Sequence, residues 1–306
     1  MARPGYDNPA MATLLGLSQR LVPERGRALA ASDRLEGATA LVTGANRGLG
    51  RAIACQLGDR GARVLLACRG DASEALREVR RRTSAEVLHV DLADLRSVDR
   101  LADRLEEPVH VLVLNAGVVP SRSRATAQGL ELQLGVNYLA NVRLVDRLRD
   151  RLAKDRERLP RVVAVSSESH RSARGFELAR LGEHDRYGIG GVMRRYGESK
   201  LLLTAWAQEL ARELEGEAAV HTICPGPVAT GIASEAPRWS RPILDPVIRT
   251  LFAAPEVAAR PITYLACARA VEGRSGLYWH RWREKPPSEV ALERALPRRW
   301  STRAGA

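Results

Sequence analysis

Tyr196 and Lys200 stand four residues apart in a stretch of helical period, YGESKLLLTAWAQELARELEG over 196–216. On a helix that spacing puts both side chains on one face, about one turn apart. A phenol with its ordinary pKa near 10 is a poor proton shuttle at neutral pH. An ammonium one turn away stabilises the phenolate and brings it towards the operating range, the arrangement a general acid/base needs. Six tyrosines and three lysines in 306 residues lead one to expect about 0.06 such pairs by chance. Only three of the chain's 48 basic residues are lysine, so arginine is its habitual cation. A lysine here points to a need for a compact ammonium rather than a planar fork. The bland alternative is a Tyr/Lys pair on a solvated helix face.

A second constellation lies upstream, at Thr43-Gly44-Ala45-Asn46-Arg47-Gly48-Leu49-Gly50. It closes an apolar, β-branched run (38–45) and opens a helical one (49–60). Glycines there let the chain turn tightly and let backbone N–H groups approach a pyrophosphate, while the helix N-terminus favours the anion. The spacing is TGxxxGxG rather than GxGxxG.

Both constellations need a frame. Short apolar runs at 38–45, 62–68, 86–92, 109–117, 161–167 and 219–226 alternate with helical segments at about 49–60, 71–82, 94–106, 129–156, 194–215 and 255–270. Near-continuous apolar runs suit parallel strands buried on both faces. The alternation predicts an α/β fold with one doubly wound parallel sheet flanked by helices on both faces. A last run, SGLYW (275–279), reads as an edge strand. The divisions expected are an N-terminal arm (1–36), one nucleotide-binding domain (37–285) and a C-terminal tail (286–306).

Composition narrows the function. Net charge is +12, but arginines and acids are interspersed along apparent helices such as 143–158, a solvated face with i,i+4 pairs rather than a nucleic-acid surface. No window approaches 18 uninterrupted apolar residues, so no transmembrane anchor is expected. The four cysteines (Cys55, Cys68, Cys224, Cys267) show no metal-ligand spacing, and a reducing cytoplasmic setting is the default expectation.

The TGxxxGxG turn begins a resemblance to the short-chain dehydrogenase/reductase family that recurs in order along about 38–280. Asp91-Leu92, Asn115-Ala116-Gly117, Asn137, Ser166-Ser167, Tyr196-Gly197-Glu198-Ser199-Lys200 and Pro225-Gly226-Pro227-Val228-Ala229-Thr230 follow one another as they do in that family. The segments CR (68–69), LNAGV (114–118), VSSESH (165–170) and GLYWHRWREKPPSEVALERALPRRW (276–300) resemble its retinol-dehydrogenase-like branch.

The resemblance implies a Rossmann-type fold and a nicotinamide dinucleotide held by Gly44, Asn46, Arg47, Gly48, Leu49 and Gly50. It implies that Asp91 and Leu92 meet the adenine and that Asn115, Ala116 and Gly117 support the adenosine side. Pro225 and Gly226 would help hold the cofactor, and Val228 and Thr230 would meet the nicotinamide amide. Taken singly, Asp91 reads equally well as a helix N-cap, and the Asn115 and Pro225 segments as loop and strand terminator. The second apolar strand ends Ala67-Cys68-Arg69, with no carboxylate where NAD ribose hydroxyls are normally received. Arg69 and Arg47 would instead reach a 2′-phosphate with charge-assisted bonds, which favours NADP(H). Asp71, two residues on, would soften that preference.

By the same resemblance Tyr196 is the general acid/base, and Lys200 tunes it and bonds the nicotinamide ribose. Ser167 donates to the substrate oxygen, while Asn137 holds the water of a proton relay. Spacing alone leaves Ser166 and Ser167 equivalent. Segments 168–195 and 231–254, the latter with Trp239, Ile243, Leu244 and Phe252, are expected to shape a pocket for an apolar carbonyl or alcohol. A homodimer or homotetramer is the expected assembly. The competing class is a non-catalytic NADP(H)-binding regulator or sensor, against which the complete Asn137/Ser167/Tyr196/Lys200 set speaks.

Overall fold

A computed structural model describes residues 26–153, 158–173, 187–228 and 252–293. Its frame is one eight-stranded sheet in the order β3-β2-β1-β4-β5-β6-β7-β8. The strands are β1 (Thr39–Thr43), β2 (Arg63–Cys68), β3 (Ala85–His89), β4 (Val111–Leu114), β5 (Arg161–Val165), β6 (Ala219–Cys224), β7 (Leu277–His280) and β8 (Arg283–Lys285). All neighbours are parallel except the last pair. The order reverses between β1 and β4, the switch point at which open α/β sheets bind ligands.

Alternation across each strand builds two cores. Leu41, Leu112 and Val162 face α3 (Leu95–Arg104), α5 (Ala140–Leu148) and α6 (Ile189–Glu213). Their neighbours Val42, Val113 and Val163 face α1 (Gly48–Asp59) and α7 (Pro255–Cys267) on the other side. A strand read as continuous apolar sequence is thus covered on both faces, as a parallel sheet requires. The helix between β3 and β4 is α3, and α2 (Ser73–Arg80) joins β2 to β3.

Three details depart from the sequence expectations. The helix expected over 129–156 is a composite. A single turn α4 (Leu132–Leu134) passes through a π-helical turn at Gly135–Leu139 into α5, which ends in a 3₁₀ turn at Arg149–Arg151. Its arginines pair across helices rather than along one: Arg143 with Asp99 of α3 at 2.7 Å, and Arg147 with Asp103. The run 275–279 is not an edge, because β7 is flanked by β6 and by the antiparallel β8. The β7–β8 turn carries Arg281 at φ 54°, the left-handed geometry that a tight hairpin demands and that an Arg-Trp pair does not advertise.

From the expected N-terminal arm, residues 26–36 lie against the body. Leu35 is buried, Asp33 accepts from the Arg269 backbone N–H at 2.8 Å, and the Arg27 guanidinium lies 4.8 Å from the Trp279 ring. The C-terminal helix α8 (Glu289–Leu292) packs Ala291 on Leu201 and Ala205 of α6. Among the described residues no helix is long and apolar enough to cross a membrane.

Candidate active site

The carboxyl ends of β1, β2, β4, β5 and β6 open into one cleft of about 1180 Å³. One end is the glycine turn. Gly44 has φ 66°, and a Cβ on Gly50 would lie 2.3 Å from the Gly44 carbonyl oxygen. Only a bare backbone allows α1 to start so close to β1, with its first N–H groups facing the cleft. Thr43 ties this turn to the neighbouring strand end. Its hydroxyl accepts from the backbone N–H groups of Asn115 and Ala116 at 3.0 Å each, and the Asn115 amide donates to the Thr43 carbonyl at 2.8 Å.

Gly44, Asn46, Arg47, Gly48, Leu49, Gly50, Arg69, Asp91, Leu92, Asn115, Ala116, Gly117, Tyr196, Lys200, Pro225, Gly226 and Val228 all line this cleft, as does Ser167. Asn137 does not; Thr230 lies outside the described residues, as do 174–186 of the first expected pocket segment and 231–251 of the second, including Trp239, Ile243 and Leu244. Phe252 lines the cleft. Asp91 is no N-cap. Asp94 caps α3, while Asp91 accepts from the Ala93 N–H at 2.9 Å and stands 3.6 Å from the two-thirds-exposed Arg69 guanidinium. Asp71 turns to Ser73, accepting from its N–H at 2.9 Å and its hydroxyl at 2.6 Å, and is not among the cleft's lining residues. The cradle and the helix N-terminus fit a dinucleotide.

At the other end the two strand-end serines separate. Ser166 is buried and shares a 2.7 Å hydrogen bond with Thr204, so it fastens β5 to α6. Both serines line the cleft; the Ser167 hydroxyl donates to Ser169 Oγ at 3.1 Å, accepts from the Ser169 N–H at 3.2 Å, and lies on the side of the Tyr196 phenol, where it opposes the rise of that group's pKa. Lys200 is buried, its Nζ donating to the Val165 carbonyl at 2.8 Å and lying 5.8 Å from the Tyr196 ring centre. Behind it the carboxamide of the fully buried Asn137 accepts from the Val118 N–H at 2.7 Å and donates to the Val118 carbonyl at 3.1 Å. A Cβ at Gly117 would lie 3.3 Å from Asn137 Oδ1 and 3.5 Å from Lys200 Nζ, so that glycine keeps the wall behind Lys200 thin. The π turn seats Asn137 there, and the Asn141 amide donates to its carbonyl at 3.0 Å.

The electrostatics correct one expectation. Burial pushes Tyr196 up to about 12, against the opposing Ser167 hydrogen bond. Burial pushes Lys200 down to about 8. Loss of solvation of the phenolate thus outweighs the ammonium, which is set back from the phenol and already bonded to Val165.

Sequence reasoning missed an apolar part of the cleft lining. Val118, Val119, Pro120, Leu132 and Val136 line the cleft, with Val119 42% exposed. The run VVP directly after Asn115-Ala116-Gly117 was the available signal. Glu168, Cys224 and His280 also reach the cleft, and nothing local to their sequence marks them.

A doubly wound sheet whose switch-point cleft joins a glycine turn to a Ser/Tyr/Lys cluster defines a nucleotide-binding oxidoreductase. The profile of the short chain dehydrogenase family matches residues 38–176. Retinol dehydrogenase 13 of Mus musculus is 32% identical over 91% of this chain and 86% of its own length. A solved protein of Mycobacterium paratuberculosis superposes with TM-score 0.71 at 27% identity, covering 90% of this chain and 96% of that one. The Pseudomonas aeruginosa RhlG/NADP active-site complex superposes with TM-score 0.62 at 25% identity, covering 81% and 95%. The chain belongs to the short-chain dehydrogenase/reductase family. It is an oxidoreductase acting on CH–OH/C=O groups with a nicotinamide cofactor.

Proposed function

We propose that the protein interconverts a carbonyl and an alcohol on an apolar small molecule, with NADP(H) as cofactor and Tyr196 as general acid/base. The observation that carries this reading is the Ser167–Tyr196–Lys200 cluster, which opens to the same cleft as the glycine turn. The bound nicotinamide supplies or accepts the hydride. In reduction the Tyr196 hydroxyl gives its proton to the substrate oxygen, and Ser167 donates a hydrogen bond to the same oxygen as it gains charge. Lys200 keeps positive charge beside the phenol as the phenolate forms, and a water between Asn137 and Lys200 returns the proton. Arg47 and Arg69 receive the 2′-phosphate, since β2 ends without an acid and Asp71 is engaged with Ser73.

Val118, Val119, Pro120, Leu132, Val136 and Phe252 suit an apolar substrate, consistent with the name of the retinol dehydrogenase relative. Equilibrium titrations with NADPH and NADH under identical salt test the cofactor assignment. NADPH is expected to bind at micromolar levels and NADH much more weakly, with Arg69→Ala narrowing the gap. Equal binding would overturn the role of the arginines, and binding of neither would favour a degenerate or sensory protein. Tyr196→Phe is expected to lower turnover by about 10²–10⁴-fold and keep NADPH binding; turnover at the parental rate would overturn the Tyr196 assignment.

A further inference from the structure

The short 3₁₀ turn that follows Ser167, Glu168–Arg171, is gripped by the far end of the chain. Glu168 accepts from the Tyr278 hydroxyl at 2.8 Å and pairs with Lys285 at 3.3 Å, while Arg171 donates to the Pro286 carbonyl at 2.5 Å. The most direct link is His170, which is completely buried. Its Nε2 lies 3.1 Å from the backbone N–H of Ser288 and can only accept there. A neutral imidazole that accepts at one nitrogen carries its proton on the other. That proton is on Nδ1, which donates to the carbonyl of Ser167 at 2.7 Å. The ring therefore connects one backbone donor of the C-terminal segment to the peptide of the residue whose hydroxyl meets Tyr196. Burial pushes its pKa down to about 4, so the neutral, two-bonded form persists through neutral pH. The same C-terminal segment then packs Ala291 on Leu201, the residue after Lys200.

We infer that His170 is a positioning residue, which holds the Ser167 hydroxyl in line with Tyr196 by bridging the Ser167 carbonyl to the C-terminal segment. The inference rests on the reading of Ser167 and Tyr196 as the reacting groups. An apolar side chain would fill the same space and keep the 3.1 Å bond from the residue-170 backbone N–H to the Ser167 carbonyl, but it would break the link from that carbonyl to the Ser288 N–H. Misplacement of a reacting group by about 1 Å is enough to cost roughly 100-fold in rate.

The test is kinetic, on the full chain with a carbonyl substrate found by NADPH absorbance. His170→Phe is expected to lower kcat by roughly 10–100-fold while KM and NADPH affinity stay within about twofold. His170→Gln, whose amide offers one donor and one acceptor, is expected to restore most of that loss. Adding His170→Phe to Ser167→Ala is expected to cost nothing further. Additive losses, or a His170→Gln variant no faster than His170→Phe, would overturn the inference and leave the Tyr196 reading standing. Full turnover by Tyr196→Phe would instead overturn the reading beneath it. If His170→Phe fails to fold, imidazole nitrogen NMR of the unaltered protein decides. A proton on Nδ1, with no titration between about pH 5.5 and 8, is expected from an unperturbed histidine near 6.5 displaced downward; an Nε2-protonated or titrating ring would overturn it.

Discussion

Both ends of β5 bury a charged side chain, and only one end opens to the cleft. At the amino end Arg161 is 1% exposed, and its guanidinium is bonded to Glu272 at 2.7 Å and to the Leu265 carbonyl at 3.0 Å. His221 lies beside it, pushed down to about 3 by burial and by the Arg161 charge. At the carboxyl end Lys200 is 4% exposed, but one N–H goes to the Val165 carbonyl and the group lines the cleft. None of Arg161, His221 or Glu272 lines that cleft. Burial and displaced pKa values are therefore shared by a cluster closed off from the cleft and one that opens to it. What separates them is geometry. The carboxyl ends of parallel strands at the switch point face an opening, whereas the amino end of β5 is tied by Arg161 to Leu265 of α7 and to Glu272 beyond it.

The comparison breaks most sharply under paired substitutions. Tyr196→Phe is expected to lower kcat by about 10²–10⁴-fold, the usual contribution of a positioned acid/base, with a thermal midpoint close to the parent's. Arg161→Met is expected to do the reverse. It leaves Glu272 facing an apolar strand end, and breaking a buried pair costs about 3–5 kcal/mol of stability. The folded fraction should still bind NADPH and turn over at the parental kcat. Denaturant melts beside single-turnover rates check both. An Arg161→Met protein of parental stability, or one with parental stability and lost turnover, would erase the distinction between the two ends.

A smaller effect distinguishes neighbours at the reactive end. Ser167→Ala is expected to lower kcat by roughly 10²–10³-fold, the scale for removing one donor from a developing oxyanion. Ser166→Ala removes the bond to Thr204 instead and is expected to cost about 0.5–1.5 kcal/mol of stability with kcat unchanged. Equal kinetic losses in the two variants would show that the serine hydroxyls are interchangeable.

That pair also shows what was legible in the sequence. The glycine turn, the Tyr196/Lys200 pair and the strand alternation are local patterns, in which spacing along the chain is spacing in space. The serines are adjacent and chemically identical, and strand alternation alone does not reveal which face meets α6. Long-range assembly was less legible still. Glu168 and His280 reach one cleft from positions more than a hundred residues apart, and the helical arginines 143 and 147 found their acids on α3 rather than one turn away. Asp91 looked like a cap because Asp-Leu precedes a helix, yet Asp94 three residues later holds that place. Likewise the phenol's displacement followed from burial, which sequence patterning does not measure.

The finest test of the reactive end is its response to pH. Lys200 is held down at about 8 because burial strips solvent from the ammonium. A lowered lysine pKa means the charge is present below pH 8 and is lost as pH rises through it. Carbonyl reduction needs that charge beside the phenolate left behind when Tyr196 gives up its proton. The Tyr196 hydroxyl, pushed up to about 12, remains protonated throughout this window and sets no limb of its own. The kcat/KM for reduction is therefore expected to be flat from about pH 6 to 7.5 and to fall above about 8, reporting the free enzyme's lysine. Lys200→Arg keeps its charge to far higher pH, so whatever activity it retains is expected to lose the limb at 8. A limb that stays at 8 in Lys200→Arg would belong to another group, and the Cys224 thiol, pushed up to about 11, lies too high to supply it. Loss of the limb would tie the pH response to the buried ammonium at the open end of β5.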